Sequence, residues 1–160
     1  MTQIDSYRTA ISKMLDWEEA RPRFAKATAG MDPTLQGRKP DGLPYSPWQL
    51  VEHIRFTQHD ILDFCRRADY KEPKWPDDYW PKGPVPPSPK AWEESVSSWQ
   101  QDRDALQQLA TDPAIDLLAT IPHGTGQTYL RELLLVADHN AYHTGELIVV
   151  RRALGAWPPA

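Results

Sequence analysis

The segment ADHNAYHTGELIVVRR, residues 137–152, sets two histidines, His139 and His143, among leucines and valines. On a helix, at ~100° per residue, a spacing of four brings the two rings to within about 40° of each other, one turn apart. Leu135, Val136, Leu147 and Val150 share that side. Two neutral imidazoles in an apolar setting need partners, because an unpaired buried polar group costs about 1–3 kcal/mol. A divalent metal meets the need, since it binds neutral imidazole nitrogen and the i,i+4 spacing lets both rings reach one ion. The alternative is a set of core histidines hydrogen-bonded to carboxylates or carbonyls. A metal also requires a third ligand from a second helix, and His53 is the candidate, lying between Leu50, Ile54 and Thr57. Asp60 is on the His53 face, as a fourth ligand or as a partner to a ligand. His59, about 240° further round, faces elsewhere, and His123 precedes the last helix in a loop that reaches the mouth of such a site. The residue after His139 is Asn140, not Glu, so the HExxH arrangement of zinc proteases is absent.

Four helices are expected to position these residues. The first covers about residues 3–27, with Ile4, Tyr7, Ile11, Met14 and Leu15 on one face. The second begins at SPWQ, where Ser46 is a good N-cap, Pro47 suits the first helical position and Gln49 completes a capping box; it runs to about Ala68. The third begins at Ser88-Pro89 and ends at Asp112-Pro113. The fourth runs from Tyr129, capped by Thr128, to Leu154, with Gly155 as its stop. Its apolar residues lie on two sides, divided by a narrow stripe of Arg131, Asp138 and Gly145. Such a helix is central to a bundle or shared with another subunit. Residues 70–89 include seven prolines with Trp75, Tyr79 and Trp80, which describes a long loop packed down by its aromatics. Residues 115–128 read as an extended turn or small hairpin. The whole, residues 1–160, is a single all-α domain, a four-helix bundle with a long Pro/Trp-rich crossover loop.

Composition narrows the function. The chain of 160 residues has a formal charge of −4, from 18 basic and 22 acidic residues, with no Lys/Arg block. That balance gives nucleic-acid binding no electrostatic support. The apolar runs LLLVA and LIVV are far too short to span a membrane. No secretory signal opens the chain, and the single cysteine, Cys65, excludes an internal disulfide; both fit a cytoplasmic protein. Cys65 reads most simply as a small buried hydrophobe. Arg151 and Arg152 read as complements to the negative end of the last helix.

The segment DHNAYHTGELIVVRRALGAWPP resembles the last helix of the DinB-like (YfiT-like) metalloenzymes, which carry H-x-x-x-H-x-G-[QE] followed by a leucine-arginine run and a closing glycine. SPWQLVEHIRFTQ resembles their second helix, and PKWPDDYWP the aromatic-proline loop of one branch. The resemblance implies a bundle of the DinB type, usually a homodimer, with a three-histidine site. Carried over, the metal ligands are His53, His139 and His143, with a divalent transition metal (Zn, Ni or Fe) completed by water or substrate. It also implies a metal-dependent transferase or hydrolase acting on a small molecule. Members of known activity use a low-molecular-weight thiol, bacillithiol or mycothiol, as co-substrate, and the metal is thought to hold it as thiolate. The family's usual glutamine is here Glu146, about 20° from the His139 direction. Glu146 and Asp60 are the residues expected to assist chemistry. Gly145 suggests close packing. The remaining alternative is a non-catalytic homodimeric bundle that binds a metal or small ligand.

Overall fold

The computed structural model describes residues 3–159. Six helices are present among them: α1 (Gln3–Met14), α2 (Phe24–Thr28), α3 (Pro33–Gln36), α4 (Pro47–Arg66), α5 (Ala91–Thr111) and α6 (Tyr129–Ala153). The described residues form no strand. An isolated antiparallel bridge, Thr120 to Thr128, closes the turn before α6. The four long helices make the bundle: α4 packs against α5 and α6, while α1 lies along α5 and touches α6.

Local chemistry sets the helix ends. Ser46 Oγ accepts from the Gln49 amide and the Gln49 side chain accepts from the Ser46 amide, which is the expected capping box, with Pro47 at the first helical position. Thr128 caps α6 by accepting from the Arg131 amide. At the other end Gly155 takes φ +70°, and the amides of Gly155 and Ala156 return to the carbonyls of Arg152 and Arg151. A left-handed residue at this position favours glycine.

Two expected helices are corrected. The first does not run to residue 27: α1 stops at Met14, and the chain re-enters helix only at Phe24. Pro22 lacks an amide proton and drives Arg21 out of helical geometry, so no single helix can continue into α2. The third begins at Ala91, without a side-chain cap, because Ser88 makes a turn in which its carbonyl accepts from the Ala91 amide.

The core has two apolar halves. One gathers Phe24, Trp48, Leu50, Ile54, Trp99, Leu147 and Val150. The other gathers Leu15, Ile61, Leu62, Cys65, Leu106, Leu109, Leu133 and Val136. On both α4 and α6 the residues between these halves are polar and buried: His53, Thr57 and Gln58 on one, Asn140 and Thr144 on the other. Gln58 donates to the Trp99 carbonyl at 2.8 Å and accepts from Asn140 at 2.7 Å, tying α4, α5 and α6 together at this level. The histidines sit in the same belt.

Arg151 lies in the last turn of α6, where a cation complements the helix dipole. It is also fully buried, with Nη1 donating to the carbonyls of Ala27 and Ala29 and Nε to that of Ala156. It joins the end of α6 to the end of α2 and to the C-terminal segment.

Candidate metal centre

His53 comes from the middle of α4, and His139 and His143 from successive turns of α6. The helices pack directly and run antiparallel, so the three rings meet across one interface. The Nε2 atoms of His139 and His143 lie 3.1 and 3.2 Å from His53 Nε2. One coordinating atom from each of the three residues falls within 4.8 Å of the others.

The outer nitrogens determine what the inner ones can do. His53 Nδ1 is 2.9 Å from the Tyr79 carbonyl oxygen, which accepts only, so the proton is on Nδ1 and Nε2 carries a bare lone pair. His143 Nδ1 is 2.5 Å from a Glu146 carboxylate oxygen, which fixes its proton in the same way. Two bare lone pairs thus face each other across 3.2 Å with no hydrogen between them. His139 can supply one proton to this cluster at most. A cation at the shared focus removes the repulsion. Nitrogen ligands at about 2.0–2.1 Å around a tetrahedral ion are separated by roughly 3.3 Å, close to the spacing of these rings. The donor set therefore fits a divalent transition metal better than it fits a hydrogen-bonded core.

Burial keeps His53 and His139 neutral, the form that binds metal. It pushes His53 down to about 4, against the raising effect of the Tyr79 carbonyl. It pushes His139 down to about 3, helped by the neighbouring imidazoles of His143 and His53.

The Pro/Trp-rich loop supplies the setting of His53. Besides the Tyr79 carbonyl, the Trp80 ring stacks on the His53 ring with centroids 3.8 Å apart and planes 6° from parallel; Tyr45 also stacks on Trp80. These contacts were not foreseeable from residue type, because a main-chain carbonyl has no signature in sequence. Trp75, by contrast, remains exposed.

The other candidates are distributed as follows. Glu146 touches the centre through His143. Asp60 is not part of the three-histidine cluster: its two oxygens accept from the hydroxyls of Tyr70 and Tyr79, at 2.8 and 2.7 Å. Its link to His53 is indirect, through the two ends of Tyr79. His59 faces Asp102 on α5, as its direction on the helix required. His123 donates to the Phe64 carbonyl. Cys65 is buried and its thiol is pushed up to about 12 by that burial, so it is no nucleophile. Gly145 is not closely packed: a Cβ there would meet nothing within 4 Å among the described residues. Among the described residues, no helix is long and apolar enough to cross a membrane.

Compared with known proteins, residues 16–147 match a family model, that of the DinB superfamily, which spans all three histidines and Glu146. No curated protein and no solved structure matches the chain.

Proposed function

Since this chain belongs to the DinB superfamily, we propose that it is a metal-dependent enzyme that transfers a low-molecular-weight thiol onto a small electrophile. The observation that carries the reading is the convergence of three Nε2 atoms, two of them stripped of their proton by fixed acceptors. His53, His139 and His143 hold the ion and leave at least one position open. A divalent metal bound there supplies Lewis acidity, which lowers the pKa of a coordinated thiol or water into the neutral range.

The chain's own residues do the rest. The Tyr79 carbonyl and the Trp80 ring hold His53 in one tautomer and one orientation. Glu146 holds the proton of His143 on Nδ1 and makes Nε2 the stronger donor. With 32% of its side chain exposed, Glu146 can also accept the proton that a thiol gives up. Asp60, through Tyr79, fixes the loop that covers His53.

The test uses cobalt-loaded protein. Adding a simple thiol is expected to give sulfur-to-cobalt charge-transfer absorption, and adding an electrophile then gives S-alkylated product, both absent in His143→Ala. Product formed from water with no thiol would move the reading to a hydrolase. Metal bound with neither reaction, across a broad screen, would favour a non-catalytic metal-binding bundle.

A further inference from the structure

Two outer nitrogens of the histidine cluster have fixed acceptors, the Tyr79 carbonyl on His53 and the Glu146 carboxylate on His143. The third, Nδ1 of His139, is enclosed and has no partner of full hydrogen-bond geometry among the described residues. A buried polar atom left so costs about 1–3 kcal/mol. A neutral imidazole has one ring proton to place. With no acceptor on Nδ1, that proton is drawn to Nε2, which lies 3.1 Å from the bare lone pair of His53 Nε2. The third inward nitrogen would then be a donor and could hold no ion.

The next residue of α6 carries the matching acceptor. Asn140 is fully buried, and the way its amide faces is decided outside the cluster. The Trp99 carbonyl, in the middle of α5, only accepts, so it takes the side-chain nitrogen of Gln58, at 2.8 Å. The Gln58 oxygen is thereby turned toward Asn140 and takes its nitrogen, at 2.7 Å. What remains is the Asn140 oxygen, a buried acceptor with no donor among the described residues. Two unpartnered atoms of opposite kind thus belong to consecutive residues. They are also within reach of each other. Burial, then the imidazoles of His143 and His53, favour the neutral His139 ring, and the Asn140 side chain opposes them as a hydrogen-bond acceptor does.

We propose that Asn140 is a positioning residue, whose Oδ1 accepts the Nδ1 proton of His139 and so keeps Nε2 bare toward the other two rings. The contacts run from the Trp99 carbonyl through Gln58 and Asn140 to His139. By this route α5, which contributes no histidine to the cluster, sets the tautomer of the third one. Each ring then has its own fixed acceptor: a loop carbonyl, a carboxylate and an amide oxygen. The inference rests on the metal reading for its purpose, but the tautomer itself can be observed in metal-free protein.

The deciding experiment records nitrogen NMR of labelled histidine rings in metal-free protein, native and Asn140→Leu. In the native protein His139 is expected to carry its proton on Nδ1. In Asn140→Leu, a side chain of similar size with no acceptor, the proton should move to Nε2. A merely structural role for Asn140 would loosen the fold without moving that proton. Zinc competition titrations of the same two proteins should show affinity lower by about 10–100-fold in the variant. A native His139 protonated on Nε2, a tautomer that Asn140→Leu leaves in place, or equal zinc affinities would overturn the proposal. If Asn140→Leu does not fold, the native ring spectrum decides alone. Native protein that binds no zinc, yet holds the His139 proton on Nδ1, would remove the metal reading and leave the assignment of Asn140 standing.

Discussion

At the scale of single residues, Glu146 is the side chain proposed to tune the centre, through His143 Nδ1. Replacing it by Gln keeps an acceptor near His143 Nδ1 but removes the charge. Partners of metal-bound histidines typically matter by about 10–100-fold in affinity. Glu146→Gln is therefore expected to weaken metal binding by that factor in a competition titration while leaving the fold intact; an unchanged affinity would remove Glu146 from the site. His59 gives a separate pH test. Its hydrogen bond to Asp102 raises its pKa from the ordinary 6.5, against the opposing effect of burial and of Arg55, with Asp102 and Asp63 adding charge attraction. A raised value means that the stabilisation is fully present below pH 6.5 and is lost as pH climbs through the folded value. The urea midpoints of native protein and Asp102→Asn should differ more at pH 6 than at pH 8, by a small amount because His59 is half exposed. A gap that grows toward pH 8 would contradict this. The clustering of the three histidines was legible in the sequence because rings at helical spacing on apolar faces need a shared partner. The Tyr79 carbonyl was not legible, and neither was Asp60's engagement with Tyr70 and Tyr79, since both depend on how the proline-rich loop folds back.

At the scale of elements, α6 carries most of the design. Its cap, its glycine stop and its two clustered histidines could be read directly, since each is a local signal. Arg151 could not: an arginine in a last turn ordinarily faces water, and only the packing of α2 against α6 encloses it. Arg151→Ala should destabilise the chain by roughly 3 kcal/mol, on the scale of losing charge-assisted bonds to buried carbonyls, measured as a drop in urea midpoint; a change below about 0.5 kcal/mol would show those carbonyls satisfied otherwise. The break after α1 is the reverse case. Pro22 is plain in the sequence and bars one continuous helix into α2, yet α1 already stops at Met14, well before it. Gly145 lies in open space on the exposed stripe of α6. Gly145→Ala should raise the melting temperature, a gain of up to about 1 kcal/mol. A fall would contradict this and would show that the partner of the expected homodimer packs too closely on Gly145 for a Cβ.

At the scale of the whole molecule, the two apolar halves hold a polar belt between them, and the belt is where α4 and α6 meet. The exposed side of α6 shows Leu134, Leu135, Tyr142 and Val149, which is the surface a homodimer would use. Light scattering is expected to give twice the 18.3 kDa chain mass, reduced to one by Tyr142→Glu with Val149→Glu; a native monomer would contradict this. The central claim, however, is that the bundle is built around an ion. Elemental analysis of protein purified without chelator or metal resin, beside His53→Ala, tests it directly. Close to one transition metal per chain in the native protein and almost none in the variant is the predicted result. No metal in either, even after divalent ions are supplied, would return His53, His139 and His143 to the status of core side chains.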